Sequence, residues 1–259
     1  METRALGNTL WAVSKLDVND PAFLGALITE ARSKLSSFST LDLANTAYAL
    51  AKLGYKNTAF MRELLNKAEG KLPSFNAQDL ANVLWAIAKV GHRDELFVSL
   101  LLGEAKSQLS SFTAQALTNA VWALATLGHK DAVFVSALLV VAEPKLPSFN
   151  NQDLASMVWA LATLGHMDTT FMRALVVAAT LNIPSFNAQD LANTAWALAT
   201  LHYHDAAFMS ALLVAAKTNL SGFNLSAVTQ MSFAIKKLNI KDAGFERALA
   251  ARRAQLGGG

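Results

Sequence analysis

Residues 186–222, FNAQDLANTAWALATLHYHDAAFMSALLVAAKTNLSG, are one copy of a 37-residue unit that recurs along the whole chain. The large aromatic residue in its first half keeps an unbroken step of 37, at Trp11, Tyr48, Trp85, Trp122, Trp159, Trp196 and Phe233. The phenylalanine that opens the unit keeps the same step, at Phe38, Phe75, Phe112, Phe149, Phe186 and Phe223. A fixed period of this length is typical of arrays in which each unit packs on its neighbours.

Each unit is predicted to be a pair of helices. Asn187 and Asp190 have the spacing of a capping box, and a helix rich in Ala and Leu follows them. Asp205 is expected to begin the second helix, whose apolar stripe includes Phe208 and Leu212. In sister units a glycine follows the first helix, as expected of a C-cap: Gly54, Gly91, Gly128 and Gly165.

The predicted fold class is all-α, an α-solenoid (superhelix) of seven 37-residue helix–turn–helix repeats. We assign one repeat array to residues 1–256, divided into 1–37, 38–74, 75–111, 112–148, 149–185, 186–222 and 223–256. Residues 257–259 are interpreted as a Gly linker or tag remnant, and no targeting segment is expected in a chain that is trimmed to repeat boundaries.

Composition argues against several kinds of site. Hydrophobic residues make up 53% of the chain and the mean hydropathy is +0.30, but Pro and Ser interrupt every apolar stretch before membrane-spanning length. The chain has no cysteine, which excludes disulfides and thiolate ligands. Neither its histidines nor any known motif predicts a metal, a cofactor or catalysis. The net charge is +3, and because most Asp residues occupy predicted helix N-termini, the remaining surface is expected to be more basic.

The first helix of each unit has one narrow polar stripe, which in the sixth unit is Asp190, Asn193, Ala197 and Thr200. Apolar residues cover well over half of this helix, and the Trp series is expected to be the anchor between repeats, with each ring burying roughly 150–250 Å². The second position of the stripe carries an amide or a serine: Asn8, Asn45, Asn82, Asn119, Ser156, Asn193 and Gln230. The third position is always Ala, and the fourth is Lys or Thr: Lys15, Lys52, Lys89, Thr126, Thr163, Thr200 and Lys237.

In a stacked array these stripes are predicted to form one ladder along a groove. An amide both donates and accepts hydrogen bonds and can address the edge of a base. Lys or Thr can hold a phosphate or sugar oxygen, and helical repeats of this kind bind single-stranded RNA at about one base per repeat. The residue after the amide varies, which either marks base discrimination or reflects drift beside the core: Thr9, Thr46, Val83, Ala120, Met157, Thr194 and Met231.

The segment FNAQDLANTAWALATL at 186–201 and its six relatives resemble the octotricopeptide repeats, paired-helix repeats found largely in algal chloroplast and mitochondrial proteins. The resemblance covers the whole chain and rests most on the core Leu-Ala-Asn-x-x-Trp-Ala-Leu-Ala. It implies single-stranded RNA binding in a chloroplast or mitochondrion, with an effect on RNA stability, processing or translation and without catalysis. The period is more regular than in natural arrays of this family, which also fits a consensus-engineered protein.

The leading hypothesis is therefore a monomeric, sequence-specific single-stranded RNA-binding array with no enzyme activity, no cofactor and no membrane association. A peptide- or protein-binding solenoid, whose amide ladder holds an extended backbone, fits the ladder almost equally well. The basic net charge and the family resemblance favour RNA, and a protein partner in addition to RNA is compatible with the same surface. A ligand-free designed scaffold would also account for the near-perfect repetition.

Overall fold

The computed structural model describes residues 2–16, 18, 20–55 and 58–257, and these residues form helices and turns without any strand. They contain fourteen α-helices, two in each predicted repeat: α1 (Thr3–Lys15), α2 (Pro21–Ser33), α3 (Thr40–Lys52), α4 (Thr58–Glu69), α5 (Ala77–Val90), α6 (Glu95–Ser107), α7 (Ala114–Leu127), α8 (Ala132–Ala142), α9 (Asn151–Leu164), α10 (Thr169–Thr180), α11 (Ala188–Thr200), α12 (Ala206–Thr218), α13 (Leu225–Lys237) and α14 (Ala243–Gln255). The predicted all-α class and the helix pairs are confirmed for this part of the chain. Of the predicted linker, residues 258–259 lie outside the described residues.

The helices begin and end at the residues that the sequence marks. The backbone N–H of Asp190 donates to Asn187 Oδ1 at 2.9 Å, and the backbone N–H of Asn187 donates to Asp190 Oδ2 at 3.2 Å, which completes the predicted capping box of α11. Asp205 caps α12 by accepting from the N–H of Phe208 at 2.9 Å. Helices α5, α7 and α9 end at glycines with φ near +70°, a conformation that other residues avoid: Gly91, Gly128 and Gly165.

The phenylalanine that opens each repeat from the second onward is a buried anchor. Phe38 and Phe223 are 0% exposed, and the four between them are also buried. Each follows a short 3-10 turn, such as Leu72–Ser74 before Phe75, which turns the chain from one repeat into the next. In two repeats a side chain near the end of the repeat donates a hydrogen bond to the carbonyl of its opening phenylalanine. Lys71 Nζ donates to the Phe38 carbonyl at 2.6 Å, and Gln108 Nε2 donates to the Phe75 carbonyl at 2.9 Å.

The chain divides into two compact units, Met1–Leu138 and Leu139–Gly259. In the N-terminal unit α1 packs on α3, α3 on α5 and α5 on α7, while α2, α4 and α6 lie against their own partners. In the C-terminal unit α9 packs on α11 and α11 on α13 in the same way. Equivalent helices of successive repeats are therefore neighbours within each unit, as a repeat period predicts, and the single array over 1–256 stays a prediction.

The odd-numbered helices form the core of each unit. Leu80, Leu84 and Ile87 of α5 are all 0% exposed, as are most Ala residues between them, which accounts for the high hydrophobic content. The carboxyls of Asp79, Asp153 and Asp190 are buried at the start of their helices, and burial raises the pKa of each above its ordinary value. A hydrogen bond from the backbone at the capping asparagine opposes this pKa shift in all three.

Candidate nucleic-acid interface

Each odd-numbered helix leaves one side partly exposed, which we call its open face. In α11 this face overlaps the predicted polar stripe only in part. In α11 Asp190 is 6% exposed and Ala197 is 0% exposed, so the prediction is wrong at these two positions. The part-exposed side chains are instead spaced by four, three and four residues, which places them on one face: Gln189, Asn193, Trp196 and Thr200.

Helical periodicity explains why the sequence leaves this choice open. Residues three before and four after Asn193 lie to one side of it, and residues four before and three after lie to the other. Asp190 turns back to cap the helix, and the Ala of the third position is buried in every repeat from Ala49 to Ala234. An alanine permits close packing of two helices and close approach of a ligand equally well, so the sequence does not show which of the two it serves.

The large aromatic residue of each repeat lies on this open face. Trp11 is 41% exposed and Phe233 is 42% exposed, and the five rings between them in sequence are part-exposed. The predicted contact between repeats is confirmed for Tyr48, Trp85 and Trp122, whose rings touch from one repeat to the next, but none of the series is fully buried. The opening phenylalanines are the aromatic residues that are buried, because they lie at the turn between two helix pairs.

The first four of these aromatic side chains form a row across the N-terminal unit, which we call the aromatic row: Trp11, Tyr48, Trp85 and Trp122. The ring centroids of Tyr48 and Trp85 are 4.8 Å apart at an interplanar angle of 33°, and those of Trp85 and Trp122 are 6.4 Å apart at 30°. Lys15 completes the row, since its Nζ lies 5.3 Å from the ring centroid of Trp11 and 5.0 Å from that of Tyr48.

A cavity of about 450 Å³ opens beside the aromatic row, and we call it the amide cavity. Four predicted site residues from four repeats converge on its wall: Asn8, Asn45, Asn82 and Asn119. Trp11, Tyr48 and Lys15 line it with them, and no carboxylate is among its lining residues. Gln78 and Gln115 also line it and are missing from the prediction, although each precedes its asparagine by the one helical turn that signals a shared face.

The amides of the cavity differ in whether another protein group forms a hydrogen bond with them. Gln78 Nε2 donates to Asn82 Oδ1 at 2.9 Å. Within the described residues, the side chains of Asn8, Asn45 and Asn119 make no hydrogen bond to another protein group. Their donors and acceptors are thus free to address a ligand in the cavity.

In the C-terminal unit the equivalent amides bond to one another. Gln189 Nε2 donates to Asn193 Oδ1 at 2.8 Å and to Gln230 Oε1 at 3.0 Å, and Gln230 Nε2 donates to Asn193 Oδ1 at 3.0 Å. Asn193 and Gln230 are therefore brought together as predicted positions of neighbouring repeats. Ser156, the serine of this series, is part-exposed on α9.

The variable residues after the amides lie in the interior. Six are 0% or 1% exposed, namely Thr46, Val83, Ala120, Met157, Thr194 and Met231. A side chain without exposed surface has no contact to offer a base, so the structure supports the alternative that these residues flank the core. Thr9 is part-exposed, and its hydroxyl donates to the carbonyl of Ala5 at 2.7 Å.

At the fourth position the lysine side chains reach the surface, whereas the threonine hydroxyls face the protein. Lys15, Lys89 and Lys237 are exposed and Lys52 is part-exposed. Thr163 donates its hydroxyl to the carbonyl of Trp159 at 2.9 Å. The hydroxyl oxygens of Thr126 and Thr200 are buried without a partner in the described structure. The cations therefore belong mainly to the N-terminal unit, where Lys15, Lys52 and Lys89 occupy successive repeats.

Two other kinds of site find no support in the described residues. Their His, Asp and Glu side chains form no group of three or more in position to hold a metal ion. Among the same residues, no helix combines the length and the apolar character that a membrane span needs.

Comparison with family models places these features in a known context. Residues 1–243 match the model of the RNA-editing substrate-binding complex 6 protein. The chain belongs to this family. The family match includes every residue that lines the amide cavity and every lysine of the fourth position, and it agrees with an RNA-related helical repeat protein. It does not confirm the octotricopeptide family, which stays a prediction. A search of curated proteins found no match.

Proposed function

We propose that this protein binds single-stranded RNA along the open face of its odd-numbered helices. The observation that carries the proposal is the convergence of four amides and a lysine on one cavity without a carboxylate. Amides with unused donors and acceptors suit the edges of unpaired bases, which present both. In duplex RNA the Watson–Crick edges are paired and the major-groove edges lie in a deep, narrow groove, so a single strand is the expected ligand.

Charge supports a polyanionic ligand. Lys15, Lys52 and Lys89 recur at one repeat position of the N-terminal unit, while the carboxylates of Asp42 and Asp79 are buried at helix starts. Lysines on neighbouring repeats match a backbone with one phosphate per nucleotide. The family supports the same conclusion, because its description names an RNA-editing substrate-binding complex and thereby favours RNA and protein partners.

We extend the proposal in three ways from the sequence. The unbroken 37-residue period favours one α-solenoid of seven repeats, with about one nucleotide bound per repeat. The protein acts as a monomer that binds RNA without catalysis, in a chloroplast or mitochondrion as the octotricopeptide resemblance implies. Any sequence specificity comes from the amide contacts, since the variable residues are buried.

Fluorescence anisotropy with short single-stranded RNAs tests the proposal, with duplex RNA as the comparison ligand. We expect salt-sensitive binding, because each neutralised phosphate on a single strand contributes a slope of roughly −0.7 to log K against log salt. The double substitution Asn45→Ala and Asn119→Ala should weaken binding, since both amides line the cavity and lack protein partners within the described chain. Asn66→Ala is the matched control, because Asn66 is an exposed amide on α4, outside the cavity.

Two outcomes would contradict the proposal. No binding at micromolar protein and low salt would leave the chain without its proposed ligand. Salt-insensitive binding of an extended peptide that competes at the same asparagines would instead favour a peptide-binding groove.

A further inference from the structure

We infer that the aromatic row of the N-terminal unit is a stacking platform for nucleobases. This inference rests on the proposed RNA binding and names the physical mode in which the bases are held. It concerns the aromatic row, which the sequence assigns to packing, together with Lys15, which the sequence assigns to a phosphate contact.

The first argument is the exposure of large apolar rings. An indole that serves only to hold repeats together is expected in the interior, as Phe38 and Phe75 are here. Trp11 instead exposes 41% of its surface, and Tyr48, Trp85 and Trp122 are part-exposed beside the amide cavity. Contiguous apolar surface next to polar groups is typical of a binding site on a soluble protein.

The second argument is continuity across repeats. The contacts between Tyr48, Trp85 and Trp122 join α3, α5 and α7, and Lys15 joins the rings of Trp11 and Tyr48. The aromatic surface therefore runs along four repeats in the direction that a bound strand would take. Because Tyr48, Trp85 and Trp122 already stack on one another, a base can join this stack where the Lys15 ammonium now lies, on Trp11 and Tyr48. Such stacking is tolerant of sequence because every base has a π-face.

The third argument concerns the chemistry of the occupant. Lys15 shows that the ring faces accept a cation, so an arginine-rich peptide is the competing ligand. Such a peptide would meet the repulsion of Lys15, Lys52 and Lys89 on the same face. A nucleotide brings a base for the rings and a phosphate for the lysines, and its base edges reach the asparagines of the cavity. RNA is thus the ligand that satisfies all three groups.

Lys15 has to move when a base stacks on Trp11 or Tyr48. Its ammonium covers both rings and donates to Tyr48 Oη at 3.3 Å. The side chain is exposed and flexible, so its ammonium can transfer from the rings to a phosphate as the base takes its place. Binding therefore exchanges an internal cation–π contact for a stacked base and an ion pair.

Tryptophan fluorescence tests the inference directly, because a stacked base quenches the indole it covers. The substitutions Trp159→Phe and Trp196→Phe leave tryptophan only at Trp11, Trp85 and Trp122. Titration of this variant with single-stranded oligouridine should quench its fluorescence at the concentrations where anisotropy reports binding. An abasic oligonucleotide of the same length should bind more weakly and leave the fluorescence unchanged.

Affinity gives the second readout. Trp11→Leu should weaken binding of the base-containing strand by roughly 5- to 150-fold, the range of one base–aromatic stack, and leave binding of the abasic strand nearly unaltered. The matched control is Phe23→Leu, since Phe23 is 44% exposed on α2, away from the cavity. Trp11→Phe keeps a ring and should retain most of the affinity. Circular dichroism melts of each variant establish that the fold is kept.

The outcomes separate the inference from the proposed function. RNA binding without quenching, and with Trp11→Leu as tight as the unaltered chain, would overturn the inference and leave RNA binding in place. Equal affinity of the unaltered chain for the abasic and the base-containing strand would do the same. Absence of any RNA binding by the unaltered chain would overturn both. Quenching by an arginine-rich peptide but not by RNA would assign the row to a protein partner.

Discussion

Lys15 and Tyr48 join two successive repeats through one side-chain contact. The Lys15 ammonium lies 5.0 Å from the centroid of the Tyr48 ring and 3.3 Å from its hydroxyl oxygen. These residues belong to α1 and α3, which pack on one another. The contact places a positive charge at the mouth of the amide cavity, where a phosphate of a bound strand would meet it.

Removal of this charge should change the salt dependence of RNA binding. For Lys15→Ala we expect weaker binding at low salt and a slope of log K against log salt that is smaller by about 0.7, the value for one phosphate contact on a single strand. Anisotropy titrations at several salt concentrations measure both quantities. Lys106→Ala is the control, because Lys106 is exposed on α6 and does not line the cavity. An unchanged slope would remove Lys15 from the phosphate contacts.

The two aromatic positions of a repeat should differ in their effect on stability. Phe75→Ala removes a ring that is 2% exposed, so it should lower the free energy of unfolding by about 3–5 kcal/mol. Trp85→Ala removes a larger but part-exposed ring and should lower it by less. Urea unfolding followed by circular dichroism measures the two values. A larger loss for Trp85 would show that its contacts with Tyr48 and Trp122 stabilise the repeats more than the buried phenylalanine does.

Two glycines should respond to alanine in opposite directions. Gly128 ends α7 at φ +72°, so Gly128→Ala should cost about 1 kcal/mol of stability. Gly103 lies inside α6 with open space where the methyl group of an alanine would lie, so Gly103→Ala should stabilise by roughly 0.5–1 kcal/mol. Thermal melts compare the two variants. Equal shifts would show that the left-handed turn does not constrain Gly128.

The buried acids should give stability a pH dependence of defined sign. Because burial raises the pKa of Asp79, Asp153 and Asp190, each binds a proton more tightly in the folded chain than in the unfolded one. Their contribution to stability is fully present below the unfolded pKa, where they are protonated in both states, and is lost as pH rises through the folded pKa.

Replacement of all three by Asn should remove this contribution. On acidification from neutral pH toward the raised pKa values, the unaltered chain should then gain stability relative to the triple variant. Urea unfolding at a series of pH values measures the difference. A difference that is constant across this range would contradict the raised pKa values.

Much of the fold follows from the sequence because its signals are local. Asn187, Asp205 and Gly128 act within one helical turn of themselves, and a cap or a left-handed turn depends on few other residues. The repeat period then indicates which helices are equivalent. How consecutive repeats are grouped into compact units depends on contacts between them, and no residue type marks that division.

The sequence predicts the candidate site less completely than the fold, because the type of a residue does not determine which face of a helix its neighbours cover. Asn45 and Asn119 stand out in the sequence because an amide repeated on a mostly apolar helix has few structural reasons to be there. Hydropathy assigns Trp85 to the core, because it measures transfer from water and not which face of a helix a neighbour covers. Polarity assigns Thr194 to the surface, yet this residue is 1% exposed.

The closure of a repeat onto its own first carbonyl has a consequence for how such a chain can change in length. Lys71 reaches Phe38, and Gln108 reaches Phe75, without crossing a repeat boundary. Insertion or deletion of whole repeats at their boundaries therefore leaves each of these bonds with both its partners, whereas a change in length between Phe38 and Lys71 alters the spacing on which their bond depends. Whole repeats can thus be added or removed at these boundaries without loss of either hydrogen bond.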